Sequence, residues 1–134
     1  MERMSAVTDR PRRGLVHKLG AVVLGFESLV VFLAGLTIYG LGNLPEAVPD
    51  WWAIVGGAVV AVAMILTAGL IARPGAIAVG WALQGIVAAS AILVPAILLV
   101  ALVFGTLWGY ATIAGARIDA RQAAAPAAPD SERE

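Results

Sequence analysis

Cysteine is absent from this 134-residue chain, so disulfide bonds, thiolate catalysis and cysteine-ligated metal sites are excluded. Histidine occurs once, as His17, and stands in a basic segment. The first hydrophobic stretch holds a single acid, and one carboxylate without a histidine nearby cannot supply a metal coordination shell, so we expect no metal ion and no cofactor. The chain also lacks a basic stripe with interleaved aromatic residues, and we therefore expect no nucleic-acid partner.

Charged residues are scarce as well. They make up 13% of the chain, while hydrophobic residues make up 60%, against roughly a quarter and a half in soluble domains. A soluble fold of this size would have too few polar residues to cover its surface. The composition therefore predicts a membrane protein, with the lipid bilayer as its first partner.

One stretch, residues 75–115, has no charge over 41 positions. As a straight helix it would be ~60 Å long, about twice the thickness of the hydrocarbon core, so it must fold back, and Pro95 is the expected turning point. We predict an all-α membrane protein in which four helices form an up-down bundle. The predicted spans are residues 19–42, 51–72, 75–94 and 96–116, and the segments 1–13 and 118–134 are predicted to be disordered tails.

Basic residues are missing from two of the connections between these spans. All nine Lys and Arg residues precede the first span, follow the fourth, or stand at Arg73 between the second and the third. Basic residues beside membrane segments stay in the cytoplasm. The distribution thus predicts a multi-pass protein of the cell membrane with both termini in the cytoplasm.

The first span contains one acid, Glu27. Counted from Lys18, it lies nine residues into the helix, or about 13 Å deep. An ionised acidic side chain near the centre of a membrane costs roughly 2.5–3.5 kcal/mol on insertion scales. We therefore expect Glu27 to be protonated or to have hydrogen-bonding partners inside the bundle.

The same count from the cytoplasmic face indicates those partners. Gln84 lies nine residues beyond Gly75, and Trp108 lies nine residues before Arg117. An amide has two N–H donors and an indole has one, so we predict a buried polar cluster of Glu27, Gln84 and Trp108. Such a cluster can stabilise the contact between helices by hydrogen bonds, or it can be a site that binds a proton or a substrate. The absence of a second ionisable group at this depth slightly favours the structural interpretation.

Small residues form a second pattern, and Gly105 and Gly109 make a Gly-x-x-x-Gly motif in the fourth span. Such motifs allow helices to approach closely. We predict that these glycines serve helix packing, either within the chain or between two copies. For protein partners, a second copy and another membrane protein both remain open.

Two tryptophans, Trp51 and Trp52, begin the second span. Amphipathic rings prefer the boundary between the hydrocarbon core and the headgroups. We predict that these two residues are interface anchors.

Several short motifs, in this order and at this spacing, resemble the domain-of-unknown-function 4233 family of small actinobacterial membrane proteins. The motifs are Arg13-Gly14-Leu15, Glu27-Ser28-Leu29-Val30-Val31, Arg73-Pro74-Gly75-Ala76, Gly80-Trp81-Ala82-Leu83-Gln84, Trp108 and Gly115-Ala116-Arg117-Ile118. The resemblance covers nearly the whole chain. It implies a membrane protein of this length, and it supplies no catalytic residues because the family has no established activity.

Small multidrug-resistance transporters also have four spans and a glutamate in the first helix. The residues beside Glu27, which are Phe26 and Ser28, do not match the motif of those transporters. The likeness is therefore one of general design. We expect a non-catalytic accessory or scaffold protein of the membrane, and the alternative is a proton-linked transporter of a small solute that uses Glu27.

Overall fold

A computed structural model describes residues 14–125, which form four α-helices and contain no β-strand. The helices are α1 (Leu15–Leu41), α2 (Trp51–Gly69), α3 (Ala76–Ser90) and α4 (Ile97–Ala124). Three of them, α1, α2 and α4, are long and apolar enough to cross a membrane, whereas α3 is apolar but has only 15 residues. The all-helical class is therefore confirmed, and three of the four helices have the length and the apolar composition of membrane spans. The cytoplasmic location of the termini stays a prediction, and the segments 1–13 and 126–134 lie outside the described residues.

Helix α3 is shorter than the predicted span 75–94, and the chain turns over residues 91–96 before α4 begins. Proline disfavours the helical conformation at the residue before it. Pro95 therefore disfavours helix at Val94, and α3 ends before this point, at Ser90. The backbone N–H groups of Leu93 and Val94 donate to the carbonyl of Ser90, at 3.1 and 3.2 Å. At about 22 Å, α3 is shorter than the ~30 Å hydrocarbon core.

Helix α4 runs past the predicted end of the fourth span, through Ala124. The predicted C-terminal tail of residues 118–134 thus begins with helix. Alanine and arginine are strong helix formers, and they dominate this stretch of the sequence. An interaction of Asp119 with the start of α1 also anchors it.

Helices α1 and α2 pack antiparallel with their backbones in contact. A Cβ atom added to Gly35 would lie 2.6 Å from the carbonyl oxygen of Ala53 and 3.3 Å from the Cα of Gly57. Only glycine permits such an approach between two helices. This pair of glycines therefore sets the α1–α2 contact.

All four helices contribute to one core. Its buried residues are Leu24, Met64, Ile71, Leu83, Val87 and Trp108. Large apolar side chains such as Phe26, Val59 and Leu99 are exposed on the outer faces, as expected of residues that face lipid.

The two ends of the structure differ. We call the end with Lys18, Arg73, Arg117 and Arg121 the basic end, and the end with Glu46 and Asp50 the acidic end. At the basic end α1 and α4 pack closely, since a Cβ on Gly115 would lie 2.9 Å from the Cα of Val16. Towards the acidic end, a cleft lies between α1 and α2 on one side and α3 and α4 on the other. We call these the α1–α2 pair and the α3–α4 pair.

Candidate functional site

The side chains of Glu27 and Gln84 meet inside the protein. Glu27 is 0% exposed and Gln84 is 6% exposed. The Gln84 Nε2 group donates a hydrogen bond to Glu27 Oε2 and so connects α1 to α3. The second carboxyl oxygen of Glu27, Oε1, and the amide oxygen of Gln84, Oε1, are buried and have no hydrogen-bond partner among residues 14–125. An amide–carboxyl contact of this kind resists separation of the helices, because in lipid the separated groups would find no water.

The third predicted member, Trp108, plays a different part, and its ring lies nearer the basic end than the pair of Glu27 and Gln84. It is completely buried, and its ring covers Gly80 on α3 so closely that a Cβ there would overlap it. On the other side, a Cβ on Gly20 of α1 would lie 3.3 Å from its Cζ3 atom. The indole N–H has no partner within the described part of the chain. Trp108 therefore joins α1, α3 and α4 by packing, and its N–H makes no hydrogen bond to Glu27.

Hydroxyl groups near this layer bond to their own helices. Ser28 donates to the carbonyl of Gly25 at 2.7 Å, Thr67 to that of Ala63 at 2.7 Å, and Thr112 to that of Trp108 at 2.9 Å. They therefore do not bond to Glu27. The remaining charged side chains of residues 14–125 lie near the two ends of the helices, so Glu27 has no charged neighbour at its depth.

A polar contact that the sequence did not indicate closes the basic end. The carboxylate of Asp119, near the end of α4, accepts the backbone N–H of Leu15 at 2.8 Å and that of Val16 at 3.1 Å. These are unpaired donors of the first turn of α1, whose own N-cap residue, Gly14, has no side chain. The hydrogen bonds from Leu15 and then Val16 lower the pKa of Asp119. This residue thus caps a helix that begins 104 positions earlier in the chain.

A cleft opens between the two helix pairs at the acidic end. Its volume is about 560 Å³. Two of its lining residues, Val31 and Val87, stand one helical turn from Glu27 and just under one turn from Gln84, respectively, so the cleft ends directly above the buried pair. Among the described lining residues, only Ser90 and Trp52 have polar side-chain atoms, and the Ser90 hydroxyl donates to the carbonyl of Ile86 at 2.9 Å.

The predicted packing glycines face α3 at ordinary distances. A Cβ on Gly105 would lie 3.8 Å from Gln84 Oε1, and one on Gly109 would lie 3.7 Å from the ring of Trp81. The closest backbone approaches occur instead at the Gly35–Gly57 and Gly115–Val16 contacts. A motif of small residues carries no information on which glycine meets a backbone, and this explains why the Gly105–Gly109 motif did not indicate these contacts.

The predicted interface anchors lie at the acidic end. The rings of Trp51 and Trp52 stack with their centroids 4.9 Å apart and an angle of 20° between the planes. Both are about half exposed, and Trp52 also lines the cleft. Their role at a membrane boundary stays a prediction.

Comparison with known proteins identifies a family. The model of the family described as "Protein of unknown function (DUF4233)" matches residues 17–124, which include all the residues of the buried layer. No curated protein and no solved structure matches the chain.

Proposed function

The chain belongs to the DUF4233 family of proteins of unknown function, and from its geometry we propose that it is a non-catalytic accessory or scaffold protein of the cell membrane. In this proposal the basic end lies in the cytoplasm, because basic residues resist translocation. The protein presents its helices to a second copy or to another membrane protein. Glu27, Gln84 and Trp108 hold the two helix pairs in register.

The burial of Glu27 carries this proposal. Its side chain is 0% exposed and accepts a hydrogen bond from Gln84 on a helix of the other pair. A group that relays protons needs a path of exchangeable groups, whereas the other charged side chains of residues 14–125 lie near the ends of the helices. A hydrogen bond between helices is worth about 0.6–2 kcal/mol in a membrane, which is enough to select one register.

The substitution Glu27→Gln tests the structural role. A glutamine at this position retains an oxygen that accepts the Gln84 N–H, so we expect the free energy of unfolding in detergent to change by less than about 0.5 kcal/mol. Glu27→Leu removes the acceptor and should destabilise the protein by about 1–3 kcal/mol, since the Gln84 amide then remains buried without a partner. Equal stability of the Leu variant and the wild type would contradict the structural role.

A second function has one observation in its favour. The apolar cleft ends one helical turn from Glu27, so a modest movement of Val31 and Val87 would connect the carboxyl group to the cleft. This arrangement supports a proton-linked transporter of a small apolar solute, in which Glu27 carries the proton.

Proteoliposomes distinguish the two functions. For a transporter, Glu27→Gln abolishes proton flux driven by a gradient of the solute, while the helical content and the melting temperature stay unchanged. For a scaffold, wild type and Glu27→Gln show the same background flux. Glu27→Gln combined with Gln84→Glu is a useful third variant, because the double substitution moves the titratable group to α3 without adding bulk.

A further inference from the structure

The cleft between the α1–α2 pair and the α3–α4 pair has the features of a ligand site in its own right. We propose that it binds one acyl chain of an amine-bearing phospholipid, drawn from the leaflet at the acidic end. This inference does not depend on the role of Glu27, because the pair of Glu27 and Gln84 lies beneath the cleft and outside its lining.

The size and the lining of the cleft suit a flexible hydrocarbon chain. Its volume of about 560 Å³ falls within the range of roughly 300–1,000 Å³ that is typical of small-molecule sites. Small residues, Ala34, Gly35, Ala53 and Gly56, form much of the wall along α1 and α2. A chain lying on these flat backbones gains close dispersion contacts, which are the main source of association inside a bilayer.

A helix of another protein, or a second copy of the chain, is the competing occupant of the cleft, and cross-linking of the cleft to a second copy tests for it. An acyl chain, by contrast, is narrow and adapts its shape.

The short third helix exposes the cleft to the lipids of one leaflet. Because α3 ends at Ser90, the apolar turn of residues 91–96 forms one side of the rim, and its Leu93 and Val94 line the cleft. The other side of the rim is the loop after α1, which contributes Leu44 and Val48. A phospholipid whose headgroup rests at this rim directs its acyl chains towards the centre of the protein.

The charge at the rim selects the headgroup. The loop carries the exposed acids Glu46 and Asp50, and residues 19–72 contain no Lys or Arg. An anionic headgroup would meet these carboxylates without a compensating cation, whereas the ammonium group of phosphatidylethanolamine can pair with them. The chemistry at the rim therefore favours a net-neutral, amine-bearing phospholipid.

Photolabelling of the full-length protein in nanodiscs tests the proposal. The discs contain phosphatidylethanolamine and phosphatidylglycerol, with a trace of phosphatidylethanolamine whose acyl chain carries a diazirine, and mass spectrometry locates the adducts. We expect adducts on cleft residues, including Val31, Val87 and Val94, well above the level on lipid-facing residues such as Leu99. Excess unlabelled phosphatidylethanolamine should reduce the cleft adducts severalfold, and Glu46→Gln with Asp50→Asn should also reduce them.

Two matched variants locate the binding. A Cβ on Gly56 would have no heavy atom of the described residues within 4 Å, so the side chain in Gly56→Leu begins in open space and should abolish the cleft adducts by occupying the cleft. Gly25 on α1 is equally free of neighbours but lies outside the cleft, so Gly25→Leu should leave them unchanged. Glu27→Gln should leave them unchanged too, which separates this inference from both proposed functions.

Four outcomes would overturn the proposal. They are uniform labelling of all lipid-facing residues, equal labelling of the cleft by a phosphatidylglycerol probe with the same acyl chain, unchanged labelling in Gly56→Leu, and cross-linking of the cleft to a second copy of the protein. The competition experiment uses the wild-type protein, so the proposal remains testable even if Gly56→Leu does not fold.

Discussion

Glycines have different surroundings in the two halves of this protein. In the half towards the basic end, Gly80 lies under the ring of Trp108 and Gly115 lies against the backbone of Val16. In the half towards the acidic end, Gly35 and Gly57 hold α1 against α2, but Gly56 faces an open cleft. The difference shows that the absence of a side chain closes an interface only where the facing helix presents a large side chain or its own backbone.

The buried pair of Glu27 and Gln84 lies at the boundary between these halves. Below it, α1 contacts α4 through Gly20 and Trp108 and, at the end of the helices, through Asp119. Above it, the two helix pairs diverge around the cleft. The two helix pairs thus begin to diverge at the level of Glu27 and Gln84.

The largest expected effect concerns the half towards the basic end, which we call the closed half; the half with the cleft is the open half. Gly80→Leu would drive a side chain into the ring of Trp108, and overpacking of this kind costs about 1–3 kcal/mol or more. Gly56→Leu makes the same chemical change in the open half and should alter the free energy of unfolding by less than about 1 kcal/mol. Unfolding titrations of both variants in mixed micelles measure the difference, and equal destabilisation would remove the distinction between the halves.

A smaller effect tests the boundary itself. A double-mutant cycle of Glu27→Leu and Gln84→Leu should give a coupling energy of about 0.6–2 kcal/mol, because the two side chains share one hydrogen bond across the helix pairs. Ser90→Ala is the control in the open half, since the Ser90 hydroxyl bonds only to its own helix and its loss should cost little. A coupling energy near zero would mean that the pair does not hold the halves together.

The smallest effect concerns the capped end of α1. At a pH above 3.8, the ordinary pKa of an aspartate, the Asp119 carboxylate is ionised in both the folded and the unfolded protein. Because hydrogen bonding lowers the pKa of the folded state, the stabilisation is present above pH 3.8 and is lost as the pH falls through the lower, folded-state value. Asp119→Asn should remove this dependence on pH and speed up hydrogen exchange at the amides of Leu15 and Val16.

Hydrogen exchange followed by mass spectrometry checks the cap, with Gly56→Leu as a variant that should leave it intact. Protection of the first turn of α1 that is equal in wild type and Asp119→Asn would contradict the capping role. A loss of protection that extends to Glu27 would mean that the cap supports the whole closed half, rather than one helix terminus.

Much of the fold could be predicted from local features of the sequence. Runs without charge predicted the spanning helices, and the resemblance to the DUF4233 family is confirmed. The ends of α3 and α4 were harder to predict, because the position of Pro95 allows a turn on either side of Ser90 and a helix of alanines can continue into water. Counting from the basic residues predicted one level for Glu27, Gln84 and Trp108. A count along the chain says nothing of the direction in which a side chain points, and the ring of Trp108 lies nearer the basic end than the other two side chains.

Composition and the spacing of charges by themselves determined that this chain forms apolar helices of membrane-spanning length, with one acid deep in the first helix. These properties follow from the solvent, because lipid accepts apolar side chains and rejects charge wherever they stand in the sequence. Tertiary structure alone decided that Gln84 bonds to Glu27 while Trp108 serves by packing, that Asp119 caps α1, and that a cleft remains at the acidic end. Each of these depends on the angle and the distance between helices, which the packing of all four sets together.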